Sequence, residues 1–217
     1  MKSYILWDHD GVLVDTERWY FEATRQAIQA LGIDLSQREY LLNMAAGRSA
    51  WEIAERQGAT EEEVKRQRAI RDRLYQRFLL DNDIEIPGVI EVLQELSPAY
   101  KMAIVTTAKR ADFELIHRSR SIVDYMSFVL AKGDYVRSKP APDPYLAALE
   151  RFGAQPHEAI VVEDSERGLR AAVAAGIDCV VVANDFVAEQ DLSCATHHIE
   201  SIRELPALLK GHYSHLP

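Results

Sequence analysis

Apolar residues along the chain gather into short unbroken runs rather than alternating ones. Tyr4–Trp7, Met102–Val105, Ile160–Val162 and Cys179–Ala183 are four such runs, with Phe128–Leu130 a fifth and shorter one. Continuous apolar stretches of this length mark strands buried on both faces, the situation inside a parallel sheet. Between them the period lengthens to that of helices. Pro144–Phe152 spaces Tyr145, Leu146 and Leu149 on one face, Arg167–Ala175 stops at Gly176, and Val89–Leu96 follows Pro87-Gly88. Strand alternating with helix predicts an α/β fold, a doubly wound parallel sheet joined by right-handed crossovers.

One interval breaks the rhythm. From about residue 16 to 86 no strand-like run occurs. Trp19–Leu31 reads as a helix closed by Gly32, and three further helix starts carry capping-box spacing: Ser36 with Glu39, Ser49 with Glu52, and Thr60 with Glu63. The expected organisation is therefore an α/β core of residues 1–15 and 87–217, with an all-helical insertion at 16–86. The tail 210–217, which holds His212 and His215, is expected to be loose, so those two histidines are not read as a metal pair.

Composition adds bounds. The 217 residues are 47% hydrophobic and 27% charged, as in an ordinary globular chain and unlike a disordered one. Lys plus Arg number 25 against 34 Asp plus Glu, a net charge of −9. That balance argues against nucleic acid as a partner, because there is no cation excess to displace phosphate counterions. Cys179 and Cys194 fit no metal or redox spacing and suggest a reduced, cytoplasmic setting. No apolar run approaches the ~18 residues of a membrane span, so no membrane partner is expected either.

The chemistry clusters where predicted strands end. Asp8-His9-Asp10-Gly11 follows the first run, and residues i and i+2 on a strand share a face. The two carboxylates then point into the crevice at the carboxyl end of a parallel strand, unless the segment is only a solvated Asp-rich turn. Glu163-Asp164-Ser165 follows the fourth run. There the acidic pair is either a helix N-terminus capped by Asp164 or Ser165, or a seat for a cation. Like charges ~4 Å apart cost on the order of 4 kcal/mol each at an effective dielectric of about 20, which a hard divalent ion with oxygen ligands would relieve. Lys139, stiffened by Pro140 and Pro142, could hold a phosphate beside the carboxylates or merely precede a helix. Thr106-Thr107 ends the second run, with hydroxyls suited to a phosphoryl oxygen or to capping.

Taken in this order, Asp-x-Asp-Gly-x-Leu-x-Asp (8–15), Thr106, Lys139 and Glu-Asp-Ser-x-x-Gly (163–168) resemble the haloacid dehalogenase superfamily. The likeness is to its branch with a helical cap after the first strand, similar to β-phosphoglucomutase and phosphoglycolate phosphatase. The resemblance implies a Rossmann-like core and a phosphatase acting on a small phosphorylated metabolite through an aspartyl-phosphate. It implies Asp8 as nucleophile, Asp10 as acid and then base, and Thr106 and Lys139 as catalytic phosphate-binding groups. Mg²⁺ would be held by Asp8, the Asp10 carbonyl and Asp164, with Glu163 binding directly or through water. Asp8, Glu163 and Asp164 supply −3, and Mg²⁺ with Lys139 supply +3, so a phosphate dianion could enter. The second carboxylate, Asp10, separates the chain from dehalogenases.

The cap is expected to choose the substrate. Gly47-Arg48-Ser49 is expected to form its binding loop, Arg48 supplying the cation beside a helix N-terminus capped by Ser49. Arg71 is the rival cation, although residues 66–73 read as a solvated helical face. Trp19, Tyr20 and Trp51 are expected in the cap's own core. Tyr20 stands where related mutases carry a histidine, which favours phosphatase over the alternative of a phosphosugar mutase. A receiver-like binding module that only stores a phospho-aspartate is the non-enzymatic alternative, disfavoured by the long insertion. His9, where the family places an apolar residue, is expected to face away from Asp8 and Asp10. The partner is a small metabolite, and a monomer is the expected state.

Overall fold

The computed structural model describes residues 2–187 and 189–213. The chain divides into two compact units, one of residues 1–15 and 85–217, the other of residues 16–84.

The first unit is built on six parallel strands: β1 (Tyr4–Trp7), β2 (Lys101–Val105), β3 (Phe128–Leu130), β4 (Ala159–Glu163), β5 (Asp178–Val182) and β6 (His197–Ile199). Their order in the sheet is β3-β2-β1-β4-β5-β6. The five apolar runs all form strands; Ile5–Trp7, Met102–Val105, Ile160–Val162 and Cys179–Val182 are buried, as in a sheet covered on both faces, while Phe128 and Val129 of β3 are partly exposed. β6 does not show in the hydrophobic pattern. Its sequence His197-His198-Ile199 is mostly polar, as an edge strand paired on one side only can be.

This strand order reverses direction between β1 and β4. Open α/β sheets bind ligands at such a switch point, beyond the carboxyl ends of the strands. Trp7 pairs with Val162, and the Asp8 N–H donates to the Val162 carbonyl at 2.8 Å, so the loop leaving β1 runs beside the end of β4. Register alone brings two of the acidic motifs together.

The second unit holds α1 (Glu17–Gln29), α2 (Gln37–Ala45), α3 (Trp51–Arg56) and α4 (Glu61–Asp81). Thr60 and Glu63 form a full capping box on α4, and the Ser36 hydroxyl accepts the Glu39 N–H at 3.2 Å on α2. α1 packs along α4 through Trp19 on Phe78, with ring centroids 5.9 Å apart, and through Tyr20 edge-on to Tyr75 at 5.0 Å. Trp51 is buried, while Trp19 and Tyr20 are half-buried.

The remaining helices flank the sheet: α5 (Val89–Leu96), α6 (Arg110–His117), α7 (Asp143–Phe152), α8 (Glu166–Ala174) and α9 (Leu205–Tyr213). α6 and α9 are not evident from the apolar spacing. The expectation of a loose tail is corrected for residues 210–213, which form the last turn of α9 with Leu209 buried beneath; His215 lies outside the described residues. Among the described residues no helix is long and apolar enough to cross a membrane. Cys179 is buried and Cys194 exposed, and both are free thiols.

Candidate active site

β1 ends at Trp7, so Asp8 and Asp10 stand in the loop beyond it rather than on regular strand. The chain there folds back on itself. The His9 carbonyl accepts the N–H groups of Leu13 and Val14 at 2.9 and 3.2 Å, and the Gly11 N–H donates to the Val14 carbonyl at 2.7 Å. Gly11 has φ +86°, a backbone position that favours glycine. A Cβ at Gly11 would also collide with Asp164 Oδ2 and stand 2.7 Å from Asn184 Nδ2. Glycine is thus what lets this loop approach β4 and β5.

Lys139 binds the site together. Its ammonium, 4% exposed as a residue, donates to Asp8 Oδ1 at 2.6 Å and to Glu163 Oε1 at 2.7 Å. The Tyr145 hydroxyl also donates to Glu163 Oε1 at 2.9 Å. Glu163 Oε2 receives the Asp164 N–H, the Ser165 N–H and the Ser165 hydroxyl at 3.0 to 3.1 Å. Five donors on one carboxylate fill its roughly four lone-pair positions. Ser165 caps α8, accepting the Gly168 N–H at 3.3 Å.

Asp8, Glu163 and Asp164 offer carboxylate oxygens within 4.8 Å of one another, all buried. The electrostatic consequence falls on Asp8. Burial raises its carboxyl, Glu163 and Asp10 add to the rise, and Lys139 pulls the other way; the result is about 7. For Glu163 burial also pushes upward, but the Lys139 charge and the surrounding donors outweigh it and hold the group below its ordinary value. Burial would lower the Lys139 ammonium, yet its two carboxylate partners keep it above its usual range. A lysine locked between two acids stays charged; the nucleophile candidate beside it is the group left with a proton to lose.

The donor set fits a hard divalent cation. Asp8 Oδ2 receives no hydrogen bond from the described residues, and Asp164 Oδ2 lies beside Gly11, whose missing Cβ leaves it room. Such oxygen donors suit Mg²⁺ or a similar ion, whose charge would favour the ionised form of Asp8. Asn184, just past β5, donates to Asp164 Oδ2 at 2.6 Å and orients it. Nothing in the sequence points to Asn184, because its position beside Asp164 comes from the β4–β5 pairing.

Thr106 is fully buried; its hydroxyl donates to Asp10 Oδ2 at 3.2 Å and accepts the Ala108 N–H at 2.9 Å. The Tyr135 hydroxyl donates to the Thr106 carbonyl at 2.7 Å. Thr107 is half-buried and accepts from Arg167 Nη2 at 3.2 Å, which brings in a cation that no sequence motif marks. Asp8, Asp10, Thr106, Lys139, Glu163 and Asp164 are therefore gathered in one place, with Thr107 at its margin.

His9 departs from expectation. Its ring is fully buried on the α6 side, 5.0 Å from both Phe113 and His117, with Nε2 2.8 Å from His117 Nε2. It does not turn away from Asp10: His9 Nδ1 lies 3.4 Å from Asp10 Oδ2. Burial above all, with His9 and Arg120 nearby, lowers His117 to about 3, so that imidazole is neutral.

In the helical unit the expectations change more. Gly47, at φ +69°, and Arg48 are exposed, and Arg48 Nε donates to Asn43 Oδ1 at 3.1 Å. Ser49 keeps the reciprocal bonds of a capping box, its hydroxyl accepting the Trp51 N–H at 3.3 Å and its own N–H donating to the Glu52 carboxylate at 3.0 Å, but α3 (Trp51–Arg56) has six residues, too short to gather a useful dipole. Arg71 is 5% exposed and stacks over Tyr20 at 4.4 Å, which corrects the reading for that residue, whereas Arg66, Arg68 and Arg73 around it are exposed as expected.

The family described as haloacid dehalogenase-like hydrolase matches residues 5–182. Protein CbbY of Cereibacter sphaeroides is 31% identical over 225 residues, 96% of each chain. The phosphorylated carbohydrates phosphatase of Thermotoga maritima is 35% identical over 182 residues, 80% of this chain and 82% of that one. A crystal structure of CbbY from Rhodobacter sphaeroides, in complex with xylulose-(1,5)bisphosphate, shares the fold with a TM-score of 0.79 at 23% identity, over 94% of this chain and 96% of that one. The chain thus belongs to the haloacid dehalogenase-like hydrolase family.

Proposed function

We propose that the protein is a Mg²⁺-dependent phosphatase of small phosphorylated carbohydrates, working through an aspartyl-phosphate on Asp8. The observation that carries this reading is Lys139 bridging Asp8 and Glu163 with Asp164 in the same buried cluster. Similarity to proteins named as phosphatases, one of them of phosphorylated carbohydrates, supports it.

In this reading one carboxylate oxygen of Asp8 attacks phosphorus while the other faces the cation. Lys139 holds Oδ1 and meets a phosphoryl oxygen, and the Thr106 hydroxyl steadies Asp10. Asp10 gives its proton to the departing alkoxide and later takes one from the water that cleaves the acyl phosphate. A single group can do both because the first step leaves it as the base that the second requires. Asp8, Asp164 and the Asp10 carbonyl would hold the cation, which when bound neutralises charge on the phosphoryl group. Glu163, its oxygens occupied by protein donors, is assigned to hold Lys139 and not the ion. Phosphoryl transfer needs mainly positioning and charge neutralisation, which these residues supply. The helical unit is assigned to substrate choice as a cap, with Gly47 and Arg48 as its exposed loop.

The test is phosphate release from a panel of sugar phosphates, with Mg²⁺ and with chelator, for the wild type and Asp8→Asn. Metal-dependent release that the variant lacks supports the proposal. Isomerisation of a hexose 1-phosphate given with its bisphosphate, without net phosphate release, would instead signify a mutase. A stable phospho-aspartate without ester turnover would signify a storage module.

A further inference from the structure

The Thr106 carbonyl is held by a residue that the phosphatase reading leaves unused. The Thr106 N–H donates to the Leu130 carbonyl at 2.9 Å and so carries the β2–β3 ladder one step past Val105. Bonds in a parallel ladder are evenly spaced, and the next would run from the Lys132 N–H to the Thr106 carbonyl. It does not form. The Lys132 N–H goes to the Ala108 carbonyl at 3.0 Å, and the Ala108 N–H to the Thr106 hydroxyl at 2.9 Å, as the chain turns toward α6. A fully buried residue is left with a carbonyl whose ladder donor has gone elsewhere. The Tyr135 hydroxyl replaces that donor at 2.7 Å.

Tyr135 is delivered by a turn closed on both sides. The Asp134 N–H donates to the Ala131 carbonyl at 3.0 Å, and Asp134 Oδ2 accepts the Ala131 N–H at 2.8 Å. The Tyr135 ring is half-buried against the core cluster that holds Val105, Leu130 and Tyr145. Because a carbonyl has no hydrogen to give, the phenol is the donor. Burial raises that hydroxyl against the pull of Lys139, so it keeps its hydrogen.

The bond to Tyr135 fixes a direction at the far end of the same peptide. In a trans peptide the C=O and the following N–H lie in one plane and point opposite ways. With the Thr106 carbonyl turned to Tyr135, the Thr107 N–H is turned away from it and donates to no described residue. Thr107 is half-buried, and the Thr106 hydroxyl beside it donates to Asp10 Oδ2 at 3.2 Å. A backbone N–H held open in the loop that touches Asp10 is placed to meet an oxygen of a phosphoryl group on Asp8. A donor aimed in advance needs no reorganisation as charge develops.

We infer that Tyr135 is a positioning residue: by holding the Thr106 carbonyl it aims the Thr107 N–H at the equatorial oxygens of the transferring phosphoryl group. This rests on the reading of the site as one of phosphoryl transfer. Tyr135 acts through the peptide and not on the substrate. Without its hydroxyl the peptide can swing, because the ladder bond that would otherwise hold it is made at Ala108.

The test is Tyr135→Phe, which keeps the ring and deletes the donor. With Mg²⁺ present, kcat and KM are measured for an alkyl sugar phosphate that the wild type turns over fastest and for p-nitrophenyl phosphate. The inhibition constant of vanadate is measured alongside, because its five-coordinate adduct presents the same equatorial oxygens. Removing such a donor outright costs about 10²–10³ in kcat, so one that has lost its aim should cost at least about tenfold, with KM within about threefold. The loss should be equal for the two esters, since the equatorial oxygens are common to both. The vanadate constant should rise by the factor by which kcat/KM falls, as both report the transition-state geometry.

A merely structural role would lower the urea midpoint and leave the vanadate constant at its wild-type value, and that result overturns the inference. A fall confined to the alkyl ester, whose leaving group needs a proton, would place the effect on Asp10 through the Thr106 hydroxyl and overturn it as well. An inhibition constant does not depend on how much of the enzyme is folded, so the readout stands even for a variant that folds poorly. If the wild type releases phosphate from no ester, the reading of the site fails first. If it turns both esters over and Tyr135→Phe matches it in kcat and vanadate constant, only the positioning of Thr107 by Tyr135 fails.

Discussion

The carboxylate of Glu163 occupies the space that a Cβ on Gly168 would need. Glu163 cannot yield that space, because Lys139 and Tyr145 hold one oxygen while the start of α8 holds the other. Gly168 sits on the first turn of that same helix, so the helix end and the carboxylate are packed as one piece. Gly168→Ala should therefore cost about 1–3 kcal/mol as overpacking, although alanine is the better helix former. It should also lower kcat, since any retreat of Glu163 moves Lys139. A urea midpoint and a turnover rate both equal to wild type would refute this.

Lys139 is the counter-ion of two buried acids. Lys139→Met keeps much of the side chain's volume but leaves Asp8 and Glu163 facing each other without a cation, and should cost about 3–5 kcal/mol. Adding Glu163→Gln removes one of the stranded charges. The double variant should be more stable than the sum of the two single losses by at least about 1 kcal/mol, as a double-mutant cycle in denaturant would read.

Much of the site is legible in the chain because each acidic motif directly follows an apolar strand. A parallel sheet then delivers every such end to one edge. Asp8, Thr106, Lys139 and Asp164 need only that rule and the family resemblance. The residues that escape it are set by partners distant in sequence. Asn184 has no motif and acquires its role from β5 lying beside β4. His117 belongs to a short helix with a buried aspartate, Asp112, and a buried histidine, which blurs the apolar period. Strand alternation gives the wrong side for His9 because it does not extend past Trp7, where the chain has already left the strand. In the helical unit the reading of Arg71 fails because the guanidinium lies against the Tyr20 ring while pairing with Asp72 at 2.8 Å, which polarity along the sequence does not reveal.

Asn184 offers a measure of how the cation's seat is supported. Its amide donates to Asp164 Oδ2 without belonging to the acidic cluster. Groups in that position commonly set metal affinity by 10–100-fold. Asn184→Leu should raise the Mg²⁺ concentration needed for half-maximal activity by about that factor, while kcat at saturating metal changes little. A metal titration that superimposes on the wild type, or a loss that saturating metal does not recover, would count against it.

The raised Asp8 carboxyl makes stability depend on pH in a way that a bound cation should reverse. With a value of about 7 against the ordinary 3.8, the folded protein without metal holds a proton that the unfolded chain has released. Its contribution is fully present below about pH 4 and is lost as pH rises toward 7. His117 runs the other way: lowered from 6.5 to about 3, it costs stability as pH falls through that interval. The two slopes oppose one another, so a single stability curve would hide both. The difference between Mg²⁺ and chelator isolates Asp8, because His117 is the same in each. Mg²⁺ displaces the Asp8 proton, and the stabilisation by metal should grow by about 1.4 kcal/mol per pH unit from pH 5 and level off above pH 7. Asp8→Asn should flatten the dependence. Thermal unfolding across this range with and without Mg²⁺ reads it directly, and a metal effect in the wild type that does not vary with pH would remove Asp8 from the cation's seat.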